Sequence, residues 1–258
     1  MASFVDLYDN ALHVELGTND TSVLFTTARR KHAINEGLRQ FADLTECLTR
    51  QSTIASTAGV QEFNLNSTTV LPAGDYLRVA SQGPIFQISD SNGLQQTLAG
   101  DDFPQVSIPF LDNASGWRST EAAYPTGWYL RSGFIFGLTA PLYLSTSSTE
   151  TAQILLPYVV NPSSMTADTA VPYTLDGLSR ADLQPYHQAL VHYAAHDLEK
   201  LRKDMDASDL QLKKFQGYIQ RYLDANRPKG NRVVRTAVSY FARSRGGDRG
   251  GPLAPWWR

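Results

Sequence analysis

Between residues 185 and 226 apolar positions recur at helical spacing in two blocks. Tyr186, Leu190, Tyr193, Leu201 and Met205 form the first stripe, widened by Ala189, Ala194 and Leu198. Leu212, Phe215, Ile219 and Tyr222 form the second. One apolar face per block predicts two amphipathic helices. Pro185 suits a first helical turn, where no N–H is needed. The link Asp204-Met205-Asp206-Ala207-Ser208-Asp209 holds residues that start helices. So short a link makes the two helices antiparallel neighbours.

Phe4, Leu7, Ala11 and Val14 predict a short helix near the N-terminus, which Gly17 can end. A longer helix is expected from about Ser22 or Thr27 to Thr45. Its stripe is Ile34, Leu38, Phe41 and Thr45 or Leu48, and this stripe is expected to pack on the 185–226 hairpin. Arg29-Arg30-Lys31 reads as a solvated face, with an acidic neighbour or DNA as the sharper alternative.

From about Arg50 to Pro162 the pattern changes to short β-prone runs between turns. Ser52–Ile54, Glu62–Leu65, Tyr76–Ala80, Ile85–Ile88, Gln95–Leu98, Gly127–Leu130, Phe134–Leu138 and Gln153–Val160 read as strands. Turns are expected at Thr57-Ala58-Gly59, Pro72-Ala73-Gly74, Ser91-Asn92-Gly93 and Arg131-Ser132-Gly133. Residues 101–123 read as a long connection bearing Phe103, Ile108, Phe110 and Trp117, the kind of loop that forms functional surfaces.

The order predicts an α+β chain. Helices from the N- and C-terminal parts form a bundle, and an antiparallel β domain, a sandwich or small barrel, is inserted into it. The expected boundaries are 1–49 for the N-terminal helices, 50–162 for the β domain, 163–226 for a connection and the helical hairpin, and 227–258 for an extended tail.

Charge adds to this picture. The 258 residues carry a net charge of −2. From Arg227 to Arg258, eight Lys/Arg stand against one Asp; the other 226 residues carry fifteen Lys/Arg and twenty-four acids. An acidic body with a basic tail predicts a tail used for contact. Val233, Val234, Val238, Tyr240 and Phe241 are β-prone. Arg243 and Arg245 precede the linker glycines 246, 247, 250 and 251, and Trp256-Trp257-Arg258 follows. Aromatic residues with arginine make interface hot spots, so these residues are the candidate docking site. Cys47 is the only cysteine and is expected as a small buried helix residue. Its isolation excludes an intrachain disulfide and fits a reducing compartment. The N-terminal residues lack a secretory signal pattern, and no apolar run reaches membrane-spanning length. A soluble protein made in the cytoplasm is expected, with no membrane contact.

Candidate chemistry is sparse. His192 and His196 are four apart on the first helix of the hairpin, with His187 before them and Glu199 beyond. They could share a metal, but the spacing residues Tyr193, Ala194 and Ala195 lack the glutamate of a metalloprotease. Polar helix-face histidines, or a pH-sensitive interface, are the plainer expectation. There is no nucleophile elbow and no phosphate-binding glycine loop. Asp101-Asp102 reads as a turn. No cofactor, no metal and no enzymatic activity are expected.

One succession of segments is specific. Thr26-Thr27-Ala28-Arg29-Arg30-Lys31 leads into Ala33-Ile34-Asn35-Glu36-Gly37-Leu38-Arg39-Gln40-Phe41. Thr53-Ile54 and Gly59-Val60-Gln61-Glu62-Phe63-Asn64-Leu65 follow, and later Tyr186-His187-Gln188-Ala189-Leu190-Val191-His192-Tyr193-Ala194. This resembles the head–tail adaptor, or connector, proteins of tailed bacteriophages. The resemblance covers Thr26–Leu65 and Tyr186–Asp224, and the β insertion only as a class. It implies a helical bundle bearing a β domain, in a ring, commonly twelve-fold, under the portal protein. It implies neighbouring copies, the portal and the next tail or nozzle protein as partners, fibres among the further ones, and a lumen through which DNA passes without specific binding. It places the protein in the virion neck, assembled in the host cytoplasm, with the C-terminal segment clipped to the portal. No motif of the family matches that segment residue by residue. The other reading is a binding module whose β domain holds a glycan or a receptor-binding protein on Trp117, Tyr124, Trp128, Tyr129 and Tyr143.

Overall fold

The computed structural model describes residues 2–17, 24–89, 95–113, 116–122, 124–144 and 151–226. The chain combines helices with antiparallel sheets and divides into two compact units. Residues 2–37 and 183 onward make one unit, and 38–182 the other. The division falls inside a single helix.

In the first unit, a π-helical segment, Asp6–Ala11, runs into helix α1, Leu12–Leu16. Gly17 closes it in the left-handed region at φ 61°, a conformation glycine adopts at no steric cost. The π turn explains why a 3.6-residue count misassigns the apolar face. Each wider turn shifts the following residues round the axis. Phe4, Leu7, Tyr8, Leu12 and Leu16 are buried, while Val14, expected on that face, is 80% exposed.

Helix α2 spans Thr27–Thr45. In its N-terminal half Ile34 is fully buried, and Gly37 lets α2 approach the first helix of the hairpin. A Cβ at Gly37 would lie 3.2 Å from the Leu190 carbonyl oxygen. The basic triplet is used within the chain. Arg30 is buried and pairs with Asp9 at 3.3 Å, so the acidic-neighbour reading holds for it. Lys31 lies over the Tyr8 ring at 4.7 Å.

The hairpin forms as expected, with corrected ends. Helix α4 covers His187–Arg202 and α5 covers Met205–Ala225; α3, Ile108–Asp112, belongs to the other unit. Pro185 sits in a 3-10 turn, Ala181–Tyr186, ahead of α4. Lys203, at φ 63°, breaks α4, and the Asp204 carboxylate accepts from the Ala207 N–H at 3.1 Å to start α5. Because α4 stops there, Met205 falls in the next helix and off the predicted stripe, and Leu201, in the last turn of α4, is exposed as well. Leu190, Ala194, Leu198, Phe215 and Ile219 form the seam.

In the second unit, strand β8, Thr151–Val160, is the spine of a five-stranded sheet. Strand β1, Thr49–Ser56, pairs along its whole length. On the opposite edge, β3, Tyr76–Val79, and β4, Ile85–Ser89, pair with it end to end, and β5, Gln95–Leu98, adds to β4. Cross-strand neighbours Ile54, Ile154 and Phe86 are buried on one face. Gln153 and Gln87, half-buried on the other, share a 2.8 Å hydrogen bond. Strand β2, Glu62–Asn64, pairs with β7, Ile135–Leu138, which pairs with β6, Trp128–Arg131. Both sheets are open. β1 and β5 do not pair, so the expected small barrel is not formed among the described residues.

Helix α3, Ile108–Asp112, and a hairpin of β9, Thr174–Leu175, and β10, Leu178–Ser179, were not expected. Asp176 and Gly177 turn that hairpin at φ 55° and 75°, the Asp-Gly pair that a two-residue turn of this hand favours. Leu38 and Phe41, in the C-terminal half of α2, are buried, and Phe41 meets Tyr173 at 5.5 Å. Cys47 is buried but lies just after α2, and burial pushes its thiol up to about 12.

Candidate functional site

The tail residues singled out from sequence, Val233, Val234, Val238, Tyr240, Phe241, Arg243, Arg245, Trp256, Trp257 and Arg258, lie outside the described residues. The described surfaces show what the rest of the chain offers.

The histidines of α4 are packing groups. His192 and His196 are buried and face α5. His192 Nδ1 is 2.8 Å from Gln211 Oε1, and Gln211 Nε2 donates to Glu15 at 3.0 Å. With its amide oxygen turned to the imidazole, Gln211 makes Nδ1 the donor. His196 Nδ1 is 2.9 Å from the Ser208 carbonyl, and Ser208 Oγ donates to the His196 carbonyl at 3.0 Å. Burial lowers both pKa values and drops that of buried His187 to about 4. Neutral imidazoles thus fill the interior at pH 7. No group of three or more His, Cys, Asp or Glu among the described residues is placed to hold a metal.

Residues 38–182 hold thirteen acids, six arginines and no lysine. Five of those arginines pair with carboxylates. Arg50 reaches Asp75 and Asp176, and Arg78 reaches Asp43 and Glu46. Arg118 reaches Asp112, Arg131 reaches Glu62, and Arg180 reaches Asp182. Asp101, Asp102, Glu121 and Asp168 are exposed.

The three-stranded sheet carries an aromatic cluster. Glu62, Gly137 and Tyr129 are cross-strand neighbours on β2, β7 and β6. The Tyr129 ring crosses over Gly137, and its hydroxyl donates to Glu62 Oε1 at 2.8 Å. Trp117 meets Tyr129 edge-on at 5.4 Å, and Arg118 lies over Trp117 at 4.3 Å. Trp128 and Tyr129 are buried, so neither is available as a binding platform; Phe110, Tyr124 and Tyr143 are exposed. A Cβ at Gly137 would fall 2.1 Å from Tyr129 Cζ. Gly137→Ala is expected to cost roughly 1–3 kcal/mol by overpacking, read as a lower melting temperature. An unchanged melting temperature would show that the ring can move aside freely.

Among the described residues no helix is long and apolar enough to cross a membrane. No curated protein matches the chain. The model of the SU10 adaptor protein family matches residues 6–238 and so spans the β region as well as the helices. That family's role is structural: its members join phage heads to tails and contact portal and tail proteins in the virion neck. This chain belongs to the SU10 adaptor protein family and is a bacteriophage head–tail adaptor.

Proposed function

We propose that this chain is one subunit of a twelve-fold ring seated between the portal and the tail, with DNA passing through the lumen. Family membership over residues 6–238 carries the reading. In it, the helices of 1–49 and 163–226 form a bundle, 50–162 is an inserted β domain, and 227–258 reaches the portal. Val233 to Phe241 would lie extended against it, Arg243 and Arg245 would pair with portal carboxylates, and Trp256 and Trp257 would fill apolar pockets.

The charge of the body supports a lumen that lets DNA slide. Outside 227–258 the net charge is −9, and in 38–182 Arg50, Arg78, Arg118, Arg131 and Arg180 are held by carboxylates. Duplex binding draws its free energy from lysines and arginines that displace counterions, and 38–182 has no lysine and six arginines.

The test is to mix the purified protein with the phage's portal and image the complex by cryo-electron microscopy. The expected result is a ring of twelve copies coaxial with the portal around an open channel. Isolated copies bound without rotational symmetry would overturn the ring. Strong, salt-dependent duplex binding by a protein lacking 227–258 would overturn the sliding lumen.

A further inference from the structure

The five-stranded sheet ends in two open edges. β1 is paired with β8 on one side only, and β5 with β4 on one side only. On their other sides neither strand has a backbone partner among the described residues. Such edges are templates for pairing with another chain, and proteins usually guard them with charge, proline or a bulge. Here those guards are missing. Gln95-Gln96-Thr97-Leu98 of β5 and Gln51-Ser52-Thr53-Ile54-Ala55-Ser56 of β1 hold no charged residue and no proline, and both strands pair without a register shift. Arg50, the one charge of β1, stands toward its other end and is held by Asp75 and Asp176.

The two edges match each other. Every pairing from β1 through β8 and β4 to β5 is antiparallel, so β5 runs opposite to β1. They also stand at the same level of the sheet. Ile54, Ile154, Phe86 and Leu98 form one row across the four strands, and Ala55, Gln153, Gln87 and Thr97 form the next. A copy turned by the small angle of a ring step keeps its strand directions and the same face inward. Its β1 would meet β5 antiparallel, the commoner pairing, with the rows continued from copy to copy. Thr53, Ala55 and Thr97 are exposed, so the solvent-facing side of both strands is clear.

We propose that β5 of one copy pairs antiparallel with β1 of the next, so that the five-stranded sheets join edge to edge around the ring. A strand from another protein would satisfy one edge; a second copy of this chain satisfies both with a single kind of contact. Two different edges meeting head to tail is what closes a ring. The contact is short, and its exposed side chains are small or polar. It therefore holds weakly between free copies and gains strength where the portal sets them side by side. The inference rests on the ring reading and names the strands that join its subunits.

The experiment uses full-length protein and portal, with Ala55→Cys and Thr97→Cys placed in one chain. Inside a copy these positions are three strand spacings apart, roughly 14 Å, too far for a disulfide. Between copies they would be neighbours on adjacent strands, within reach of one. Rings assembled on portal are oxidised and run on a denaturing gel without reductant. The expected result is a ladder of multimers that collapses on reduction. Neither single-cysteine variant is expected to give it, because their other thiol, Cys47, is buried. A second pair of variants reads assembly through charge, with ring yield counted in electron micrographs. Ala55→Lys with Thr97→Lys is expected to keep its melting temperature and to lose ring yield roughly tenfold or more, since like charges would stand opposite each other. Ala55→Lys with Thr97→Glu is expected to recover it. Wild-type protein that forms no ring on portal would overturn the ring reading and this inference with it. Rings whose cysteine pair runs as monomer would overturn the sheet contact alone. So would full ring yield from the double-lysine variant, or normal rings that no longer take up the next tail protein, since the edges would then belong to that protein.

Discussion

Deleting residues 231–258 is expected to leave a folded protein that has lost portal binding by at least a hundredfold. Two tryptophans and six arginines go with the deletion, and truncating such anchors at an interface hot spot typically costs about 2 kcal/mol or more each. Two losses of that size already exceed a hundredfold in Kd. The melting temperature is expected to stay within about two degrees, because the seam of α4 and α5 is built from residues before Asn226. Pull-down or surface plasmon resonance against portal measures the first quantity and calorimetry the second. Undiminished portal affinity would mean the tail is not the clip. A fall of several degrees would mean that the tail is part of the chain's own core.

The second large effect is acid sensitivity of the helical unit. His187, His192 and His196 are buried, and burial depresses all three. A depressed folded-state pKa means that the unfolded chain binds protons first as pH falls. The stabilising difference is intact above the unfolded value of 6.5 and is lost below it, down through the folded value, about 4 for His187. For His187 alone the loss is roughly 2–3 kcal/mol between pH 7 and pH 4, with His192 and His196 adding in the same direction. Near His192, Glu15 opposes the shift and Lys214 reinforces it. Urea unfolding midpoints at pH 7, 6, 5 and 4 measure this. His187→Gln is expected to flatten the profile, whereas a wild-type midpoint that is level from pH 7 to pH 5 would show that the imidazoles reach solvent.

The hairpin was legible in sequence because its stripes rest on local chemistry. Asp204 caps α5, and Leu190, Phe215 and Ile219 keep helical spacing throughout. The strands were legible as runs, but their pairing was not. Nothing local to Thr49 says that it will face Val159, and the end-to-end placement of β3 and β4 on one edge of β8 follows from long-range packing. Local rules failed where geometry departed from the ideal period. The π turn moved Val14 outward, and the left-handed Lys203 put Met205 outside the seam. Buried Trp128 and Tyr129 show why aromatic content alone does not mark a binding surface: the same composition serves a sheet core.

The central place of β8 has a consequence for synthesis on the ribosome. β1, β3 and β4 all pair with this one strand, and it is the last long strand of its unit to be made. At about 5–20 residues per second, β1 waits roughly 5–20 s for its partner to emerge. Until then its backbone donors and acceptors are an open edge, the kind of template on which nascent chains join one another. Its sequence, Thr49-Arg50-Gln51-Ser52-Thr53-Ile54-Ala55-Ser56, has one large apolar side chain. Its charged Arg50 and its single large apolar side chain blunt that edge. The waiting edge can stay in water until β8 arrives, so a polar β1 keeps the half-made chain from clumping on its neighbours.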